Sequence, residues 1–188
     1  FLLGFYSIAG GQESENLSPE LDTVFHHNLR VFLDPNVRQI NVENVITIPE
    51  NYEASSLQFE LNSNLTITDA SVDVSRLANL GSNSIDASDT TGTADASTSI
   101  YSIENNSRSR EIRIVYDGSI YDLAEQDSEE YAQSFSETTG IIDELGVYLN
   151  YASAWVPLFG DSLITFEMEV EFADTASQWK AVSQGDRN

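Results

Sequence analysis

The chain contains no cysteine. That excludes disulfides, thiolate nucleophiles and cysteine-bound zinc, and it leaves the redox compartment open. Lysine is represented by Lys180 alone, histidine by the adjacent pair His26-His27, and methionine by Met168. Basic residues number 8 against 31 acids, a formal charge of −23. Phosphate backbones and anionic membrane surfaces repel such a chain, so no nucleic-acid partner is expected. No membrane span is expected either, because no apolar run is long enough to cross a bilayer as a helix. Between Arg113 and Lys180 there is no basic residue at all, which predicts one uniformly negative edge. Acidity of this kind suits solubility or salty surroundings and names no ligand.

What is present is a repeated two-residue period. With 188 residues, 40% of them hydrophobic, the chain can build one large core. From Thr23 to Leu33, Phe25, Leu29, Val31 and Leu33 share a face; His27 falls on it, while His26, Asn28 and Arg30 fall on the other. Asp34-Pro35-Asn36 supplies a turn, and the chain returns with Ile40, Val42, Ile46 and Ile48 on one face. The two segments predict a long antiparallel hairpin, stopped at Pro49 because proline cannot donate to a ladder. Leu57, Phe59 and Leu61, then Leu65 and Ile67, then Val72 and Val74, repeat the alternation. Ile112, Ile114 and Tyr116 share a face, and Gly118 follows as a turn residue. In LITFEMEVEF, Ile164, Phe166, Met168, Val170 and Phe172 oppose Thr165, Glu167, Glu169 and Glu171, a half-buried strand with a charged outer face. Trp179 and Val182 are expected to begin another short strand.

The fold class expected is therefore all-β, mainly antiparallel, a β-sandwich or saddle-like sheet with one short helix near 122–135. The helix rests on DLAEQDSEEYAQSF, which has good helix formers, early acids, and no proline or glycine. Residues 23–188 are expected to form a single β-domain cut short at its C-terminus, with a disordered serine-rich loop at about 82–98. That tract carries one large apolar side chain, Ile85, and cannot support a core. Residues 1–22 begin FLLGFYSIAGGQES, apolar, then small, then polar; they are expected to be a tail or the remnant of a secretory signal. The expected location is periplasmic or secreted.

No constellation of residues announces chemistry. Adjacent strand residues point to opposite faces, so His26 and His27 cannot both reach one ion without a bulge, and no further ligand is spaced to join them. Asp86, Asp89 and Asp95 lack the spacing of a calcium loop. There is no phosphate-cradling loop, no dinucleotide fingerprint and no Gly-x-Ser-x-Gly elbow. No catalytic, cofactor-binding or metal residue is assigned. Tyr148, Tyr151 and Trp155 form an aromatic group close to Pro157, suited to core or domain-interface packing or to stacking on a sugar.

The order of the segments carries a resemblance. His27-x-Leu29-x-Val31-x-Leu33-Asp34-Pro35 is followed by Gln39-Ile40-Asn41-Val42, and then by LQFELNSNLTI from Leu57 to Ile67. Further on come Ile114-Val115-Tyr116-x-Gly118, GVYLNYASAWVP, and SLITFEMEVEF with WKAVSQG. This succession resembles the N-terminal β-domain of the aminopeptidase N (gluzincin) family of zinc metallopeptidases. The resemblance implies a non-catalytic domain that packs on the protein's own downstream catalytic domain and meets peptide substrate indirectly. Zinc is expected in that missing domain and none in this chain, which lacks the His-Glu-x-x-His motif. Where the family has a Gln or Glu that anchors the substrate's amino group, this chain reads SAWVPLFG, and no binding residue carries over. A stand-alone secreted β-sandwich that binds carbohydrate, calcium or a protein surface is the alternative, and a glycosidase using paired acids is a third.

Overall fold

The computed structural model describes residues 24–80, 97–122, 138–174 and 179–184. Among the described residues, ten strands run in chain order: β1 (Val24–Asp34), β2 (Gln39–Thr47), β3 (Ser56–Asn62), β4 (Leu65–Ala70), β5 (Asp73–Leu80), β6 (Thr98–Glu104), β7 (Glu111–Gly118), β8 (Gly140–Asp143), β9 (Gly146–Leu149) and β10 (Leu163–Phe172). They form a five-stranded sheet ordered β10-β1-β2-β7-β4, a three-stranded sheet ordered β3-β6-β5, and the hairpin β8-β9. The fold is all-β, as the alternation predicts.

The expected antiparallel β1–β2 hairpin forms, paired from His26 opposite Thr47 to Asp34 opposite Gln39. Asp34 caps a single 3-10 turn at Pro35–Val37, its carboxylate accepting from the Asn36 N–H, and Arg38 turns the chain in the left-handed region at φ 58°. Proline at the first turn position costs nothing, because its missing N–H would have had no partner there. β2 ends at Thr47, just before Ile48-Pro49.

One core joins the sheets. Phe25, Leu29, Val31 and Leu33 of β1 and Ile40, Val42 and Ile46 of β2 meet Leu57, Phe59 and Leu61 of β3 and Ile103 of β6. Phe159, from the segment before β10, sits at the junction. Its ring stacks on Phe25 at 4.1 Å between centroids and 3° between planes, and lies 5.7 Å from Phe59. The Glu60 N–H donates to the Leu158 carbonyl and the Leu158 N–H to the Glu60 carbonyl, fixing this segment against β3.

β10 pairs with β1 in parallel, from Val24 opposite Leu163 to Leu33 opposite Phe172. A parallel partner requires a long connection, and no local sequence signal selects it. The strand expected from Trp179 and Val182 does not form. Residues 179–184 take no strand structure, and Val182 is almost fully exposed, with no apolar neighbour to reward an extended ladder. Trp179 still reaches back to Phe172, 6.1 Å between ring centroids. The tail at 1–22 lies outside the described residues, as do the helix near 122–135 except Asp122, and the loop at 82–98 except Ser97 and Thr98.

Candidate functional site

Strand alternation separates the two histidines. His26 points outward, its Nδ1 2.9 Å from the Thr165 hydroxyl of β10. His27 points inward and is fully buried, 6.3 Å from the Phe159 ring. Among the described residues, no group of three or more histidines and acids is placed to hold a metal ion.

His27 instead belongs to a diagonal of buried polar side chains across the inner face of the large sheet. Asn44 of β2 presents Nδ2 2.9 Å from His27 Nδ1. The amide N–H donates to that ring nitrogen, which leaves the proton of neutral His27 on Nε2. Tyr116 of β7 lies opposite Val42, one inward position further along. His27 Nε2 is buried without a hydrogen-bond partner; Asn44 Oδ1 and the Tyr116 hydroxyl, also buried, form no hydrogen bond of normal geometry, although Asn44 still acts on the Tyr116 hydroxyl and favours its ionised form. Burial lowers the His27 pKa to about 4, and the nearby His26 adds to the lowering. Burial pushes the Tyr116 hydroxyl up. Both groups are therefore neutral at neutral pH, and neither has a path to a substrate. Sequence reasoning missed Asn44, although the signal was present: an amide at an inward position, between Val42 and Ile46, one step along from an inward histidine.

The outer face of the same sheet carries an ionic row. Arg113 of β7 donates from Nε to Glu43 at 2.6 Å and from Nη1 to Asp69 at 2.7 Å, bridging β2 and β4. Arg30 of β1 lies 3.9 Å from Glu43 and 4.0 Å from Glu169 of β10, so the row runs across five strands. Its hydrogen bonds to Arg113 hold the Glu43 and Asp69 carboxyls below the usual carboxylate range. Arg113 links β2, β7 and β4 through this row, while the Arg30 contacts at its other end are long and exposed to solvent.

The last third of the chain supplies apolar surface. Ile164, Met168, Val170 and Phe172 on the inward face of β10 are only half-buried, and Phe166 between them is 40% exposed. Trp155 packs against the core, while Tyr148 and Tyr151 are exposed, so the three aromatic rings do not gather into one cluster.

No family model and no curated protein matches the chain. Among solved structures, the chain is similar to an M1 zinc metallopeptidase from Deinococcus radiodurans. One such structure, of a point variant, gives 11% sequence identity and a TM-score of 0.46. A second gives 11% and 0.44, and the variant bound to a Tyr-Ser-Ala substrate gives 12% and 0.43. In each case the match covers 80% of this chain and 32% of the other, so the chain spans about a third of the length of those proteins. A likeness of this degree assigns neither zinc nor substrate to this chain.

Proposed function

We propose that this chain is a non-catalytic β-domain of an exported zinc aminopeptidase-like protein, packing on a downstream catalytic domain and helping to wall its peptide cleft. The observation that carries the reading is the succession of sequence segments, taken together with what each becomes in the fold. His27-x-Leu29-x-Val31-x-Leu33 is β1, Gln39-Ile40-Asn41-Val42 opens β2, and LQFELNSNLTI covers β3 and the start of β4. Ile114-Val115-Tyr116-x-Gly118 closes β7, and LITFEMEVEF is β10.

The half-covered stripe of β10 supports the reading from the side of packing. An edge strand with a run of apolar side chains left partly open is suited to burial by a neighbouring domain. Zinc and the hydrolytic groups would belong to that neighbour, and this chain would contribute shape and support.

Sequencing the coding DNA beyond Asn188 in its native frame tests the reading. A His-Glu-x-x-His helix and a later glutamate are expected. The longer product should release aminoacyl chromophores in a chelator-sensitive way, while residues 1–188 alone should not. A downstream region without the motif, or chelator-sensitive hydrolysis by the isolated chain, would overturn it. In the first case a stand-alone secreted binding module becomes the leading account.

A further inference from the structure

One level of the outer sheet face differs from the ionic row beside it. Strand register places Glu171, Phe32, Asn41, Asp117 and Thr66 side by side across β10, β1, β2, β7 and β4. Phe32 is 42% exposed, the large apolar ring at this level of the face. Phe32, Gln39, Ile40, Asn41 and Asp117 line a shallow cleft of about 300 Å³. Gln39 and Asn41 alternate with inward Ile40, so both amides stand on the cleft side.

The polar groups of this cleft are uncommitted. Among the described residues, no side-chain hydrogen bond or ion pair engages Gln39, Asn41 or Asp117, and Asp117 is half-buried. In the adjacent row, by contrast, Arg113 holds Glu43 and Asp69, and Arg30 lies within 4.0 Å of Glu169. The cation closest in sequence, Arg38, is turned elsewhere: it pairs with Asp143 at 3.0 Å and lies 3.9 Å over the Tyr121 ring.

The geometry points to a binding site for an arginine side chain presented by a peptide or protein partner. A half-buried carboxylate without a counter-charge favours a cation, and an aromatic face attracts one through its quadrupole. Neighbouring strands lie about 4.8 Å apart, so Phe32 and Asp117 bracket Asn41 across roughly 10 Å. A guanidinium suits that span better than an ammonium. Its plane can lie on the Phe32 ring while its fork of N–H groups donates to the Asp117 carboxylate and to the Asn41 and Gln39 carbonyls. The net charge of −23 draws cations toward the surface. Free arginine is disfavoured by the same field, because its own carboxylate meets Glu171 and Asp117. This site is independent of the peptidase reading, since it uses outer-face residues and no catalytic domain.

The test is a two-dimensional amide NMR titration of the full chain with N-acetyl-arginine amide. Saturable shifts centred on Phe32, Asn41 and Asp117 are expected, at least fivefold weaker with N-acetyl-lysine amide and weaker with free arginine. Two conservative outer-face variants, Asp117→Asn and Phe32→Leu, should each weaken binding at least fivefold with an unchanged melting temperature. The site is overturned by lysine or free arginine binding as tightly, or by affinity that survives D117N. Shifts that spread without saturation over Glu167, Glu169 and Glu171, or glucose binding the cleft in preference, also overturn it.

Discussion

Asn44 Nδ2 lies 2.9 Å from His27 Nδ1, and both side chains are fully buried inside the five-stranded sheet. The contact orients the ring without compensating a charge on it, because an amide N–H donates to the neutral form. A protonated His27 would put two donors face to face at that contact.

Stability should therefore fall on acidification. The His27 pKa is 6.5 before burial and about 4 after it, so the unfolded chain takes up the proton first. The contribution is fully present above pH 6.5 and is lost as the pH falls from there toward 4. By linkage the loss is on the order of 3 kcal/mol. Denaturant melts of the wild type and of His27→Gln across this range check it. The wild type should lose more stability than the variant on going from pH 7 to pH 4, and parallel curves would refute the assignment.

Phe159 anchors the segment before β10 by stacking on Phe25 and approaching Phe59. Phe159→Ala should cost about 3–5 kcal/mol, the range for deleting a fully buried ring. Tyr151→Ala, on a side chain 58% exposed, should change stability by less than about 0.5 kcal/mol. Equal effects in the two variants would mean that Phe159 is not part of the core.

The contrast between β1 and Phe159 shows what was legible in the sequence. The β1–β2 hairpin could be read because side-chain alternation and the Asp34-Pro35-Asn36 turn are local signals that agree with each other. The same alternation separates His26 from His27. Phe159 could not be read as a hub: it follows Pro157 in an irregular segment with no period, and its partners Phe25 and Phe59 lie more than ninety residues away. The parallel pairing of β10 with β1 is hidden for a similar reason, since both strands show the same alternation whichever neighbour they take. The Phe32 cleft needs three strands in register, and sequence alone does not supply that alignment.

Gly118 closes β7, and a Cβ there would collide with the Asn64 backbone carbonyl between β3 and β4. The obstacle is main chain and cannot rotate away. Gly118→Ala should destabilise the domain by about 1–3 kcal/mol, the usual range for overpacking. Gly146→Ala, where an added Cβ meets nothing, serves as the control and should be close to neutral. A Gly118→Ala melt superimposable on the wild type would show that β3–β4 can shift freely.

Arg113 links β2 and β4 by holding Glu43 and Asp69 at once. All three side chains are at least one-third exposed, so water and salt screen the pairs, and the effect of removing the cation should be modest. Arg113→Met is expected to lower the melting temperature slightly at low ionic strength, with the difference shrinking as salt is added. Acid should shrink it too. The Glu43 and Asp69 pKa values are lowered in the folded chain, so their contribution is present above the ordinary carboxylate pKa and is lost as the pH falls through the lowered values. Calorimetry of the two proteins over a salt series and a pH series separates this from lost packing of the arginine stem. A difference indifferent to both salt and pH would show that the stem, and not the charge, is what β7 relies on.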